Sequence, residues 1–322
     1  MKNFWRVKKV LVTGGNGFVG KHLVSRLLDL GAQTFILEKE EQKSQNSQSP
    51  IILPGNLQVV VGDIRDSNFI NDLFRNNNFD VCFHLAAQSL VDKGDQNPLP
   101  TFEINIMGTA NVLEAARQYK LCKLIIASTS HVYGENKLPL LEKYFPRPSR
   151  PYETSKACAD ILAQTYAKYY RSPIAIGRFV NIYGPGDQNQ RIVPRTIQLI
   201  LNNKNPEIFN DKVTRDYLYI DDAVDGYLTL AEKMKELTRQ NQNIIYNFGT
   251  GKHYSTKYLV LKIIFLLGKS YITPTVVNSP RKQEIINQYV SVEKTKKILG
   301  WSPRYSLTEG LKRTIDWYAS HE

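Results

Sequence analysis

Cysteine is scarce in this chain: Cys82, Cys122 and Cys158 are the only three in 322 residues. Thiols so few and so scattered build neither a disulfide framework nor a zinc site, and a reducing cytoplasm is the expected compartment. The five histidines, His22, His84, His131, His253 and His321, show no ligand spacing, so no protein-bound metal is expected. Long apolar runs are also missing. The most apolar late stretch, 258–268, carries Lys262 and is about half the ~20 residues that span a bilayer. The basic segment 1–9 passes straight into Val10-Leu11-Val12 without an apolar core and cleavage site, so no secretory signal is expected. Acidic residues are in deficit, 30 against 42 basic, which leaves a net charge of +12. That excess favours nucleic acid, anionic lipid or a phosphorylated metabolite as partner. Apolar residues reach 42%, enough to exclude disorder as the main state.

What is present is an alternation of strand-like and helix-like segments. Strands are expected at 10–12, 34–37, 57–61, 81–85, 123–128 and 174–178, and helices at 20–30, 67–74, about 100–119 and 152–170. The helix over 100–119 is expected to bury Ile104, Met107, Ala110, Val112 and Ala115. The polar stretch 40–55 reads as a surface loop. Strand–helix alternation implies parallel crossovers, hence an α/β fold with a doubly wound parallel sheet. Near Asn181 the segments become short and rich in Gly and Pro. We therefore expect a dinucleotide-type domain over 1–180, with sheet returns near 208–232 and 244–250, and a smaller α/β substrate-binding lobe over 181–322.

The first strand runs into Thr13-Gly14-Gly15-Asn16-Gly17-Phe18-Val19-Gly20 and then a helix. Gly15, Gly17 and Gly20 satisfy G-x-G-x-x-G, and Gly14 adds one more. Such glycines let the backbone turn tightly and approach a pyrophosphate at a helix N-terminus. Glu38 ends the second strand about 20 residues on, where an acid accepts both ribose hydroxyls and repels a 2′-phosphate. NAD is therefore expected over NADP. Asp63, after the third strand, is expected beside the adenine.

Tyr152-Glu153-Thr154-Ser155-Lys156 opens the long helix, and the spacing of four puts Tyr152 and Lys156 on one face. A neighbouring ammonium favours phenolate, so Tyr152 can take a proton from a substrate hydroxyl near neutral pH. Ser128-Thr129 ends a strand, where a hydroxyl can hold the same substrate oxygen.

With these motifs the chain resembles the extended short-chain dehydrogenase/reductase superfamily, in particular its NAD-dependent nucleotide-sugar epimerases and dehydratases. The resemblance runs from the glycine loop to Trp317. It includes His84-Leu85-Ala86-Ala87-Gln88, Asn105-Ile106-Met107-Gly108-Thr109, Ser128-Thr129-Ser130-His131-Val132-Tyr133-Gly134 and Arg178-Phe179-Val180-Asn181-Ile182-Tyr183-Gly184-Pro185-Gly186. It continues in Arg215-Asp216-Tyr217-Leu218-Tyr219-Ile220-Asp221-Asp222 and Leu299-Gly300-Trp301-Ser302-Pro303. Segments 97–109, 184–197 and 289–318 look most like CDP-glucose 4,6-dehydratases.

The resemblance implies a Rossmann fold, bound NAD and a nucleotide-diphosphate sugar. It implies that Tyr152 deprotonates the sugar 4-hydroxyl, that Thr129 hydrogen-bonds that oxygen and that Lys156 tunes Tyr152. It further assigns Phe18, Val19, Ile64, Leu85, Ala86 and Ala87 to the cofactor. Gln88, Asn181, Arg191, Val193, Arg215 and Arg281 fall to the substrate, the last two as pyrophosphate arginines. Relatives pair through the helices at about 100–119 and 152–170, so a homodimer is expected.

One departure bears on the outcome. Many dehydratases of this group carry Asp-Glu directly after the threonine, and the CDP-glucose type Asp-Lys. This chain has Ser130 and His131. A serine hydroxyl is a poor general acid, whereas His131 can act as acid or base. The expectation is carbon-4 oxidation followed by net 4-epimerisation. A 4,6-dehydratase using His131 and a 4-dehydrogenase releasing the ketone are the alternatives, with a non-catalytic NAD sensor or anion binder as the reading of another class. The densest basic run, Lys294-Thr295-Lys296-Lys297, has no interleaved aromatic and reads as a solvated helix face, so neither nucleic acid nor membrane is expected as partner.

Overall fold

Strand residues rich in Val, Ile, Leu and Phe, most of them buried on both faces, form the centre of the main sheet. The computed structural model describes residues 2–39, 55–121, 123–187, 191–239, 244–277, 279 and 283–321. The loop expected over 40–55 falls mostly outside these, as do Cys122 and Arg281.

In chain order the first elements are α1 (Lys2–Trp5), β1 (Lys9–Thr13), α2 (Phe18–Asp29), β2 (Gln33–Glu38), β3 (Leu57–Val61), α3 (Ser67–Asn76) and β4 (Val81–His84). There follow α4 (Val91–Gln96), α5 (Pro98–Phe102), a π-helical turn (Glu103–Met107), α6 (Gly108–Gln118), β5 (Leu124–Thr129), a 3₁₀ turn (Ser130–Tyr133), α7 (Pro151–Tyr169) and β6 (Ile174–Phe179). The later elements are β7 (Asn181–Tyr183), α8 (Ile192–Leu201), β8 (Glu207–Ile208), β9 (Thr214–Arg215), β10 (Tyr217–Tyr219), α9 (Ile220–Arg239) and β11 (Ile245–Phe248). The last are β12 (Tyr254–Ser255), α10 (Thr256–Leu266), β13 (Thr275–Val276), β14 (Asn287–Gln288), α11 (Glu293–Leu299) and α12 (Leu307–Ser320).

Seven strands make a parallel sheet in the order β11-β6-β5-β4-β1-β2-β3. Strand order reverses between β1 and β4, which pair directly from Val10 with Val81 to Thr13 with His84. In doubly wound sheets the crevice at such a switch point is where ligands bind. A core of Leu11, Phe35, Cys82, Ile126 and Ile176 from the strands packs with Ile70, Leu73 and Phe74 of α3 and Val112 and Leu113 of α6. Asp66 caps α3 by accepting the Phe69 amide at 3.0 Å.

The chain divides into two compact units. The first comprises Met1–Val132, Pro148–Arg178 and Val224–Tyr246, and the second Tyr133–Arg147, Phe179–Ala223 and Asn247–Glu322. Segment 133–147, expected in the first domain, thus belongs to the second. The return expected near 208–232 also needs correction: strands β8, β9 and β10 lie in small sheets, and it is α9 that rejoins the first unit, at Val224. In the second unit β7 pairs with β10, β9 lies between β12 and β14, and β8 pairs with β13. Gly300, at φ 69°, ends α11 in the left-handed region and turns the chain into the buried Trp301. A capping box between Ser306 and Glu309 starts α12.

The helix expected over 100–119 is interrupted. The π turn inserts an extra residue per turn and rotates the face presented before it. Val112 and Ala115 are buried as expected, but Met107 is exposed. No helix among the described residues is long and apolar enough to cross a membrane. No group of three His, Cys, Asp or Glu side chains among them is placed to hold a metal ion.

Candidate active site

β1 ends at Thr13, at the switch point, and the glycine loop turns from it into α2. Gly14 sits at φ 74°, and a Cβ there would lie 2.8 Å from the Ala86 nitrogen. A Cβ on Gly20 would lie 2.7 Å from the Gly15 Cα. Both positions exclude any side chain, so loop and helix start close on one another. Gly17 is the N-cap of α2, whose first turn, Phe18-Val19-Gly20, carries no acidic residue. Its amides lack helical acceptors and its end is positive. This cradle of backbone donors fits the diphosphate of a dinucleotide. Gly20→Ala is expected to weaken NAD binding at least about tenfold by titration calorimetry, since the added carbon must push the loop open. An unchanged affinity would remove the diphosphate from this loop.

Glu38 ends β2, is 8% exposed, and its Oε1 accepts the Asn16 amide at 2.6 Å. Burial raises its pKa, and the Asn16 bond offsets only part of that. The residue expected at the ribose therefore also pins the glycine loop. Asp63, expected at the adenine, is clasped by Arg65, whose Nη2 lies 2.6 Å from Oδ2, with Lys39 at 3.8 Å. The Arg65 hydrogen bonds hold its carboxyl below the ordinary range. Ile64 beside it is buried.

The end of β4 is tied down by buried hydroxyls. His84 Nδ1 lies 2.8 Å from Thr13 Oγ1, and Nε2 lies 3.0 Å from Thr109 Oγ1. Burial, then the charge of Lys156, pushes the imidazole down to about 3, so it stays neutral. The Ala86 amide donates to Thr13 Oγ1 at 3.2 Å, which holds Leu85-Ala86-Ala87 over the loop. Asn105, in the π turn, accepts the Gln88 amide at 2.7 Å and donates to Ser155 Oγ at 2.9 Å. Ser155 in turn donates to the Tyr152 carbonyl at 2.7 Å. The Gln88 side chain donates to Leu90 O and Thr101 Oγ1 and accepts the Leu90 amide. Gln88, expected at the substrate, thus also clasps the segment from Leu90 to Thr101.

Tyr152 and Lys156 lie one turn apart near the start of α7, with Tyr152 half-buried and Lys156 buried. Lys156 Nζ donates to the Ala127 carbonyl of β5 at 2.6 Å. Burial lowers its pKa to about 8, against the opposing charge of Asp160. Asp160, a further turn along, is itself buried and binds Arg178 through Nε at 2.9 Å and Nη2 at 2.8 Å. Ser128 Oγ donates to the same carboxylate at 2.6 Å. Ala127, Ser128 and Thr129 at the end of β5 are thus set against the Tyr152–Lys156–Asp160 stripe by two of these bonds. Thr129 Oγ1 accepts the His131 amide at 3.2 Å, which leaves its hydrogen to be donated.

The lowered Lys156 pKa has a consequence for stability. The unfolded chain, with an ordinary lysine near 10.4, binds this proton more tightly than the native state. The charge therefore destabilises the fold below pH 8, and the cost fades as pH rises from about 8 to 10.4. Lys156→Met is expected to raise the melting temperature at pH 7 and to lose that advantage by pH 10. A melting temperature at pH 7 below that of the wild type would contradict this.

Two residues follow Thr129 in the 3₁₀ turn. Ser130 is fully buried. His131 is one-fifth exposed, its ring edge-on to Tyr152 with centroids 6.5 Å apart, and its Nδ1 lies 3.6 Å from Glu153 Oε1.

In the second unit, the Asn181 side chain donates to the Asp216 carbonyl at 3.2 Å. Asp216 is buried and accepts from Thr250 and Gly251, and burial pushes its pKa up to about 6. Arg215 Nη1 donates to the Thr214 and Ile286 carbonyls, which fixes the guanidinium beside β9, the middle strand of the small sheet. Arg191 is the N-cap of α8 and pairs with Asp187 at 3.8 Å. Val193 is buried in the first turn of that helix.

Sequence reasoning missed Glu153, Asp160 and the clasp made by Asn105. Asp160 did carry a signal, since it continues the fourfold spacing of Tyr152 and Lys156. Glu153 carried only its place in a helix first turn.

A doubly wound sheet with a glycine cradle at the switch point, and a Tyr–Lys pair beside a strand-end threonine, defines an NAD-dependent short-chain dehydrogenase/reductase. The chain belongs to the GDP-mannose 4,6 dehydratase family, whose model matches residues 11–314. It is 32% identical over 327 residues to a dTDP-D-glucose 4,6-dehydratase of Homo sapiens, covering 97% of this chain and 90% of the relative. It is equally 32% identical to a putative UDP-glucose 4-epimerase of Methanocaldococcus jannaschii, over 96% of this chain and 97% of the relative. The solved UDP-glucose 4-epimerase of Thermus thermophilus, in complex with NAD, superposes with a TM-score of 0.83 at 28% identity, covering 98% of this chain and 100% of that one. The protein is therefore an NAD-dependent enzyme of the nucleotide-sugar epimerase and dehydratase group.

Proposed function

We propose that the enzyme oxidises carbon 4 of a nucleotide-activated hexose and reduces the ketone on its other face, a net 4-epimerisation. NAD, when bound, supplies the acceptor for the carbon-4 hydrogen and gives it back within the cycle. Tyr152 takes the proton of the 4-hydroxyl, Lys156 holds the phenolate by its charge, and Thr129 donates to the same oxygen. Glu38 accepts the ribose hydroxyls, Asp63 and Ile64 border the adenine, and the backbone of Leu85, Ala86 and Ala87 borders the rest of the dinucleotide. On the second unit, Asn181, Arg191, Val193, Arg215 and Arg281 are assigned to the nucleotide and its phosphates, for which the planar fork of arginine is suited.

The observation that supports epimerisation over dehydration is Ser130. It is fully buried and does not ionise in the working range, so the position after Thr129 supplies no acid for a leaving hydroxyl. A second reading, a 4,6-dehydratase, is favoured by His131 beside Glu153. Incubation with CDP-, UDP-, GDP- and dTDP-hexoses separates them. An isomer of unchanged mass is expected. Loss of 18 mass units would establish the dehydratase, and loss of two the 4-dehydrogenase.

We further assign a homodimer through α5, the π turn, α6 and α7, where Leu99, Met107, Ile161 and Tyr169 are exposed apolar side chains. Light scattering is expected to give twice the chain mass, and a monomer at micromolar concentration would refute it. The free thiols Cys82 and Cys158 accord with a cytoplasmic enzyme.

A further inference from the structure

α10 departs from the pattern of a surface helix. Such a helix buries one apolar stripe and turns polar and charged residues to solvent. The inner stripe of α10 is ordinary: Leu259, Val260, Ile263 and Ile264 are buried on the side that meets α8. The outer stripe is not. Tyr258, Leu261 and Phe265 recur at intervals of three and four, so they share a face, and all are exposed, Phe265 by 73%. The Tyr254 ring stacks on that of Tyr258 with centroids 5.4 Å apart and extends the stripe toward the start of the helix. Lysines flank it. Lys257 is exposed next to Tyr258, and Lys262 Nζ stands 5.7 Å from the centroid of the Phe265 ring.

We propose that this face of α10 is a docking surface for an anionic lipid bilayer, which the enzyme meets as a peripheral protein. Charge selects the occupant. Between 247 and 283 the chain carries six basic residues and no Asp or Glu, so this one segment holds half of the net +12. α8, against which α10 packs, has no acidic residue either. A second copy docked through the same face would set lysine against lysine, with no carboxylate on either helix to pair with. A bilayer surface supplies both complements: an apolar layer for Leu261 and Phe265, and anionic headgroups at the level of the lysines. Lysine stems lie along apolar surface while the ammonium stays among the headgroups, and tyrosine suits the boundary between the two layers. With eleven residues, α10 lies in that boundary rather than spanning the bilayer. Run 294–297, with no interleaved aromatic, lacks this combination.

Co-sedimentation of the full chain with lipid vesicles tests this. Vesicles of equal parts phosphatidylglycerol and phosphatidylcholine are expected to bind the enzyme, and phosphatidylcholine alone at least about tenfold more weakly. Added salt is expected to release it. Each lysine near an anionic surface contributes about fivefold, so Lys257→Gln with Lys262→Gln is expected to weaken binding about 25-fold. Leu261→Gln with Phe265→Gln keeps both lysines and is expected to weaken it about tenfold or more. The lysine pair changes only side-chain ends and covers the case in which the second variant does not fold, which a melting curve reports. Lys296→Gln with Lys297→Gln removes the same charge from α11 and is expected to change binding less than about threefold. Equal losses in the two lysine variants would mean diffuse attraction of a basic protein and would overturn the proposal. So would undiminished binding in Leu261→Gln with Phe265→Gln, or no binding to phosphatidylglycerol vesicles at low salt. In that last case, binding of soluble polyglutamate would give the face to an acidic protein, and an oligomer larger than a dimer that Leu261→Gln with Phe265→Gln abolishes would give it to a second copy.

Discussion

Tyr152→Phe is expected to lower kcat by about 10²–10⁴-fold, the usual worth of a positioned acid–base group, with KM changed far less. The substitution deletes one oxygen from a half-buried ring and keeps the ring's place on α7. On the proposed reading the loss arises because Tyr152 is the group that takes the 4-hydroxyl proton. Lys156 donates to the Ala127 carbonyl and carries its own proton below pH 8, and Thr129 is proposed as a donor to the substrate oxygen. Steady-state kinetics with the turned-over nucleotide sugar, alongside NAD titration to show that the cofactor still binds, decides the matter. Full activity in the phenylalanine variant would remove Tyr152 from the chemistry.

Arg178→Met is expected to destabilise the fold by about 3–5 kcal/mol. The guanidinium and the Asp160 carboxylate are both buried, at 1% exposure each, and meet through two parallel hydrogen bonds. Removing the arginine takes away the cation hydrogen-bonded to a buried carboxylate; among the described residues Ser128 and Gln164 still donate to it, and Lys156 is the remaining charge that acts on it. Replacing both partners, Arg178→Met with Asp160→Leu, is expected to recover much of the loss, because the uncompensated charge disappears with its partner. Urea denaturation of the two variants measures both quantities. A single variant within about 1 kcal/mol of wild type would mean that water reaches the pair. The double variant is also expected to lose activity out of proportion to stability. Asp160 anchors Ser128, which lies between the carbonyl that Lys156 binds and the Thr129 hydroxyl.

Much of the site was legible because its signals are local. The glycine loop and the first helical turn after it occupy seven consecutive residues, Gly14 to Gly20, and Tyr152 and Lys156 lie one helix turn apart. The bonds that hold these parts in place are not local. Asn105 reaches Ser155 across 50 residues and His84 reaches Thr13 across 71, and neither span leaves a periodic trace in the sequence. The π turn is a similar case: the apolar spacing around Met107 suits an unbroken helix, and only the inserted residue turns that side chain to solvent. In the second unit β8, β9, β12, β13 and β14 have two residues each, too short for any alternation to register. Arg215 was singled out by resemblance, and the structure adds what fixes it, two backbone carbonyls on adjoining segments.

The positive charge is only partly accounted for. A dinucleotide and a nucleotide sugar bring four phosphates, and a basic field raises their local concentration. Arg191, Arg215, Arg281 and Lys156 are a small share of the 42 basic residues. Lys296 and Lys297 of α11 are among those exposed to solvent.

The central claim is that hydrogen leaves carbon 4 and returns to the same sugar. A nucleotide hexose carrying deuterium at carbon 4, turned over in ordinary water, tests it directly by mass spectrometry and NMR of the product. The account predicts that the deuterium is retained in the sugar, on carbon 4 of the inverted isomer. Deuterium lost to the solvent, or a product formed with carbon 4 and its hydrogen untouched, would contradict it.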